Sequence, residues 1–375
     1  MGVVWAIIGL VLIIIMLWDA FETVVFPRRV TRRLRLARLF YRYTWLSYSW
    51  VVSKTLPARR QEAFLSYFGP LSLLALIGIW AAGLVTGYAF LFRAVSLLHD
   101  PLGAPEFVRT LYFSGTTFFT LGMGDVTPSS TAARILAVFE VGMGFAFLAL
   151  IIGYLPSLNQ SFSHREVSIS LLDARAGSPP TAAEMLRRHA GGYGMEALRQ
   201  LLHEWELWSA ELLESHLSYP VLAYFRSQHD NQSWLAALTA ILDTCALSIA
   251  GTKGACLHQA KRTFAVSRHA AVDLAIIFDA PPRTPEQDRL PDAAFKKLRS
   301  LLAQAGLNMH GGPDAGRRLA DLRAMYEPYV NSLARLMHLA VPPFMMPDGR
   351  KDNWQTSPWD TISSGTGVKG APIHF

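Results

Sequence analysis

The chain has 375 residues, 51% of them hydrophobic and 17% charged, with a mean hydropathy of +0.24. That is too apolar for an ordinary soluble protein and too polar for one embedded in a membrane throughout, so a membrane part joined to a soluble part is expected. The net charge of +7 is concentrated, with residues 1–66 summing to +7, 67–160 to −1 and the remainder to +1, which suits membrane topology and disfavours nucleic-acid binding.

Gly2–Trp18 carries no charge, and its apolar character continues past Asp19 and Glu22 to Phe26. It lacks a basic start and a small-residue cleavage pattern, so it reads as a retained anchor helix within residues 1–27. Arg28, Arg29, Arg32, Arg33, Arg35, Arg38, Arg42, Lys54, Arg59 and Arg60 follow, in a segment spanning 28–66. An excess of arginine and lysine marks a cytoplasmic loop, so the N-terminus is expected outside and this segment inside. Arg29, Arg32, Arg35 and Arg38 recur every third residue, but Arg28 and Arg33 interrupt the pattern, and a voltage sensor needs a shielding bundle. The preferred reading is a basic segment lying on anionic lipid over Arg28–Arg42. Tyr41, Tyr43, Trp45, Tyr48 and Trp50 give residues 40–56 the character of an interfacial segment. Asp19 and Glu22 are expected to pair with Arg28 or Arg29.

Phe68–Phe92 has no charge at all and predicts a second span, an outer helix over 68–95. Next comes a segment too short to cross a bilayer, a pore helix and loop over 105–128. It opens on Phe107, Val108, Leu111, Tyr112 and Phe113 and ends in Thr120-Leu121-Gly122-Met123-Gly124-Asp125. Irregular backbone at membrane depth is tolerated only inside protein or along a water-filled path. A dehydrated cation needs oxygens to replace its hydration shell, and successive backbone carbonyls can supply them. Aiming neighbouring carbonyls the same way requires positive φ at alternate positions, which Gly122 and Gly124 adopt without steric cost.

Here the sequence resembles the potassium-channel pore domain over residues 66–157, whose signature is Thr-Val-Gly-Tyr-Gly-Asp after a short pore helix. Thr120, Gly122, Gly124 and Asp125 match in place, and Leu121 is a mild change. The resemblance implies a selectivity filter of Thr120, Leu121, Gly122, Met123 and Gly124, with support from Asp125, Tyr112, Phe113, Thr116 and Thr117. It also implies four chains around one axis, with K⁺ as the permeant ion and no cofactor. Met123 stands at the family's tyrosine and has no hydroxyl, so its thioether could pack only against Tyr112 or Phe113. Phe119 replaces a small hydroxyl residue. Both make the filter's wall more apolar, leaving potassium selectivity and weaker selectivity both open.

The third apolar run, Ile135–Leu155, predicts an inner helix over 132–155 and is interrupted only by Glu140. Gly142 and Gly144 offer either a gating hinge, as the resemblance implies at Gly144, or close packing of small residues. Glu140 either draws cations into a cavity or supports the filter from behind, at Thr116 or Thr117. The pore domain is thus bounded at 67–156.

Beyond Pro156, Leu198, Leu201, Leu202, Trp205, Trp208 and Leu212 recur at helical spacing. Further helices are expected near 183–190, 233–250, 254–278, 291–304 and 315–338, forming an all-helical cytoplasmic domain over 157–340. Residues 341–375, rich in Pro, Gly and Ser, read as a tail without fixed structure. Cys245 and Cys256 suit unpaired structural thiols in a reducing cytosol. His203, His216, His229, His258 and His269 show no metal-ligand spacing, and no nucleophile elbow, phosphate loop or paired carboxylates suggest an enzyme. The whole reads as an all-α membrane protein, multi-pass in the cell membrane with its C-terminal domain in the cytoplasm. It has three transmembrane helices, a re-entrant pore helix and a filter. The functional expectation is a homotetrameric cation channel gated or assembled by the helical domain; a weakly selective channel and a non-conducting membrane scaffold are the alternatives.

Overall fold

The computed structural model describes residues 2–26, 36–95, 98–99, 105–191, 193–228, 231–285, 287–310 and 312–346. Helices dominate the described residues, and the chain divides into two compact units. The first comprises Met1–Ser161 and Leu217–Phe225, the second Phe162–His216 and Arg226–Phe375.

In the first unit, helix α1 (Gly2–Ala20) continues through a π-helical turn, Phe21–Val25. It packs on α3 (Ala58–Val95) through bare backbone: a Cβ on Gly9 would lie 2.5 Å from the Gly87 carbonyl oxygen. Lipid supplies little hydrophobic drive between helices, so small residues that let backbones approach do this work. Asp19 is buried where α1 meets two other helices. Its Oδ2 accepts the Trp80 indole N–H at 2.8 Å, and its Oδ1 accepts the Ala37 N–H of α2 (Leu36–Thr55) at 3.1 Å. Arg28 and Arg29, the expected partners, lie outside the described residues, while Glu22 accepts from the Trp18 indole at 2.8 Å.

Helix α2 buries Ala37, Tyr41, Trp45, Ser49 and Val52, one face at helical spacing, and exposes Arg42, Tyr43, Leu46 and Trp50 on the other. After Pro57 the chain enters α3, which begins at Ala58, where the sequence suggested 68. Hydropathy sees only the apolar part of a helix, and Glu62 and its polar neighbours are good helix formers. Helix α4 (Glu106–Phe118) and the loop after it lead to α5 (Thr131–Ala176). A short antiparallel pairing, β1 (Leu98–His99) with β2 (Thr127–Pro128), joins the segment after α3 to the one after that loop.

Helix α5 corrects the inner-helix boundary: expected over 132–155, it runs through Pro156 to Ala176. A proline removes one backbone N–H, and the next turn is reinforced by the Ser157 hydroxyl donating to the Gly153 carbonyl at 3.0 Å. A second boundary also moves. Leu217–Phe225, expected inside the helical domain at 157–340, belongs to the first unit. Its 3₁₀ turn (Pro220–Tyr224) places the Tyr224 ring 5.7 Å from Tyr41, 5.2 Å from Trp45 and 5.3 Å from Phe68. Tyr219 lies 5.5 Å from Tyr154 of α5. Phe225 covers Gly69, where a Cβ would come within 2.6 Å of the ring.

The second unit is built around α8 (Trp234–Gly251), capped by the Ser233 hydroxyl, which accepts the Ala236 N–H at 3.0 Å. Among the described residues four helices are long and apolar enough to cross a membrane; three match the expected spans, and α8 is the fourth, 94% buried by protein. Around it stand α6 (Ala182–Arg188), α7 (Gly194–Ser218), α9 (Ala255–Ile277), α10 (Asp292–Gln304), α11 (Gly312–Ala324) and α12 (Glu327–Met337). The helix expected over 315–338 is two, broken at Met325–Tyr326.

One group of charges in this core is paired. Arg289 holds Asp243 with two 2.9 Å bonds and Glu327 with one of 2.7 Å; the Tyr326 hydroxyl also donates to Asp243. The Phe344 ring lies beneath Arg289 and Arg323, and its carbonyl accepts the Ala183 N–H at 3.0 Å. The first residues of the expected tail, 341–346, are therefore packed; the rest of 341–375 lies outside the described residues. Cys245 and Cys256 are buried free thiols.

Candidate ion-conduction site

The site begins on α4, whose buried face is Thr110, Phe113, Ser114, Thr117 and Phe118, spaced three and four residues apart. Phe113 packs edge-on against Phe92 of α3 at 4.8 Å, and Phe118 lies 5.8 Å from Phe147 of α5. This helix ends inside the unit, and its last carbonyls hold the loop that follows. Thr116 O accepts the N–H groups of Leu121 at 2.8 Å and Gly122 at 3.2 Å, and Thr117 O accepts that of Thr120 at 3.0 Å.

The loop's backbone alternates. Thr120, Gly122 and Gly124 have φ of +57°, +54° and +80°. Gly122 and Gly124 reach this region freely, whereas a β-branched threonine there is strained, a kind of outlier that clusters at functional sites. Residues Thr120–Asp125 are exposed, and a Cβ on Gly122 or Gly124 would meet nothing within 4 Å. The open space suits backbone oxygens, and left-handed φ at every second residue turns neighbouring carbonyls toward one side.

The support residues divide. The Tyr112 hydroxyl donates to Asp125 Oδ2 at 2.9 Å, fastening α4 to the end of the loop. Thr116 is turned back, its hydroxyl donating to the Phe113 carbonyl at 3.0 Å, while Thr117 is buried. Met123 is 64% exposed; the Tyr112 hydroxyl that could have faced it is engaged by Asp125, and Phe113 faces Phe92.

Glu140 corrects an expectation. Its carboxyl lies against Ser114, one turn before Thr117, with Oε1 2.5 Å from Ser114 Oγ. Ser114 shares the buried face with Thr117, a signal present in the spacing; the height at which α5 crosses α4 was not. The two glycines part company. A Cβ on Gly144 would lie 2.0 Å from the Phe118 carbonyl oxygen, while one on Gly142 would meet nothing within 4 Å. The geometry at Gly144 is close packing against the end of α4.

In the second unit, His203 stands 3.7 Å from Glu206 and His269 3.3 Å from Asp273. Among the described residues no group of three or more His, Cys, Asp or Glu is gathered to hold a metal. His229 and Asp230 lie outside the described residues.

Two long apolar helices thus flank a short helix and an exposed loop of alternating left-handed φ. Residues 74–160, from within α3 to within α5, match the family described as Ion channel. The chain is also similar to the "Uncharacterized membrane protein YdjJ" of Bacillus subtilis (strain 168), 26% identical over 186 residues, or 48% of this chain and 52% of the relative. The chain thus matches about half the length of that relative. No solved structure matches it.

Proposed function

We propose that the chain is one subunit of a homotetrameric cation channel, with potassium passing along the backbone carbonyls of Thr120, Leu121, Gly122, Met123 and Gly124. The observation that carries this is the alternation of left-handed φ at Thr120, Gly122 and Gly124 in an exposed run held by the α4 carbonyls. One copy surrounds nothing. Four copies about an axis close a cage of carbonyl rings, and closed cyclic symmetry is the usual solution for such a site. Ile135, Val138, Phe139, Phe145, Leu148 and Ile152 expose an apolar face of α5, available to neighbouring copies and lipid.

The arginine excess favours an N-terminus outside and the second unit in the cytoplasm of a multi-pass protein of the cell membrane. Arg38 and Arg42 on α2, beside exposed Tyr43 and Trp50, suit anionic lipid; Arg28–Arg35 lie outside the described residues. Gating by the helical domain is supported by Leu217–Phe225, which leaves that domain's sequence to seat Tyr219 beside Tyr154 of α5.

Thallium flux into proteoliposomes tests conduction. Wild-type protein passes the ion, and Gly122→Asp, which puts a side chain into the open space at a left-handed position, abolishes it. Absence of wild-type flux from correctly inserted protein selects the non-conducting scaffold.

A further inference from the structure

Ser114 sits where three helices of the pore meet, and its hydroxyl has two neighbours. Oγ lies 2.8 Å from the Val85 carbonyl oxygen of α3 and 2.5 Å from Glu140 Oε1 of α5. A serine hydroxyl carries one hydrogen and can also accept. A backbone carbonyl only accepts, and so does an ionised carboxylate. Two acceptors cannot share one donated hydrogen at these distances, so the cluster needs a second proton. Ser114 and Glu140 are both 0% exposed in the single chain, so that proton has to come from within the cluster. Glu140 Oε2 is buried and has no hydrogen-bond partner among the described residues, as expected of a carbonyl-like oxygen that needs none, and costly for half of a carboxylate.

We propose that Glu140 is a positioning residue of the filter that acts as a hydrogen-bond donor. Its carboxylic acid O–H donates to Ser114 Oγ, and the Ser114 O–H donates to the Val85 carbonyl. This directed relay, Glu140 to Ser114 to Val85, binds inner helix, pore helix and outer helix at one point. Ser114 lies two residues before Thr116, whose carbonyl holds Leu121 and Gly122. The relay therefore fixes the stretch of α4 from which the filter hangs. Buried, fully satisfied polar links of this kind specify one arrangement of helices, whereas apolar contacts let them slide.

The proposal rests on the channel reading, and its test separates the two. The first arm is infrared difference spectroscopy of the full-length protein at neutral pH, wild type against Glu140→Gln. The relay predicts a protonated-acid C=O stretch in wild type that vanishes in the variant; no difference in that band overturns it, whether or not the protein conducts. The second arm compares reversal potentials in a K⁺/Na⁺ gradient. Glu140→Gln, whose amide can donate to Ser114, keeps the wild-type value. Glu140→Ala and Ser114→Ala move it toward zero by at least half, while remaining tetrameric on size-exclusion chromatography. Wild-type selectivity in both alanine variants overturns the positioning role. If the alanine variants do not assemble, loss of selectivity in Glu140→Gln overturns it and retention supports it.

Discussion

Gly144 turns its bare Cα toward the carbonyl oxygen of Phe118, so closely that a Cβ built there would lie 2.0 Å from it. The inner helix and the end of the pore helix thus meet at a distance no other residue permits. The Thr120–Asp125 loop starts two residues after Phe118, so this contact sets its height along α5.

Gly144→Ala must push α4 away from α5, an overpacking that costs about 1–3 kcal/mol. Its thermal unfolding midpoint, followed by tryptophan fluorescence in detergent, drops, and tracer flux is lost with it. Gly142→Ala meets no neighbour within 4 Å and leaves the midpoint at or above wild type. A Gly144→Ala protein that melts like wild type and differs only in open probability would restore the hinge.

Tyr112 and Asp125 share a bond of 2.9 Å between pore helix and filter end. Tyr112→Phe removes it without changing the ring. The expected outcome is unchanged assembly with a less stable filter, recorded as faster decay of current under sustained K⁺ conduction. Asp125→Asn has a similar effect, and the double variant adds less than the sum of the two. Full additivity would show that the residues act independently.

Leu217–Phe225 supplies a third test. A valine at Gly69 would collide with the Phe225 ring, and Tyr219→Ala removes the contact with Tyr154. Both changes are expected to shift open probability in single-channel records at least severalfold while the reversal potential stays at the wild-type value. A shift in selectivity with unchanged open probability would mean that the segment supports the filter rather than its gating.

His216 is expected to make the protein acid-sensitive. Its Nδ1–H donates to the Leu212 carbonyl at 2.8 Å, and Nε2 faces Arg165 at 3.4 Å. Burial, reinforced by the arginine's charge, pushes its pKa down from 6.5 to about 3. The folded chain therefore keeps His216 neutral where the unfolded chain would protonate it. Its stability contribution is complete above about pH 6.5 and lost at roughly 1.4 kcal/mol per unit as the pH falls toward 3. Unfolding midpoints measured between pH 7 and pH 4 should fall more steeply in wild type than in His216→Gln; equal slopes would show that His216 is not the group.

The apolar helices and the loop between them could be read from residue order because their constraints are local. Apolar length announces a span, and Gly122 and Gly124 announce a backbone that needs positive φ. What escaped depends on how helices cross. Thr120 also adopts positive φ, which its side chain opposes and only its bonds to the pore helix explain. Ser114 was not singled out, since nothing in the order of residues tells which turn of α4 meets Glu140. Pro156 suggested an end to α5 because a proline usually marks one; the helix absorbs it. Leu217–Phe225 looked like any other turn between helices of the second unit, since its aromatic partners, Tyr41, Trp45 and Phe68, lie far away in sequence.

Selective conduction through Thr120–Gly124 is tested most directly by recording the reversal potential of the purified full-length protein in planar bilayers, with K⁺ on one side and Na⁺ on the other. A potassium-selective carbonyl filter predicts a value close to the K⁺ equilibrium potential, with current abolished by Gly122→Asp. A reversal at zero would contradict selectivity, and currents that survive Gly122→Asp would contradict conduction through this loop.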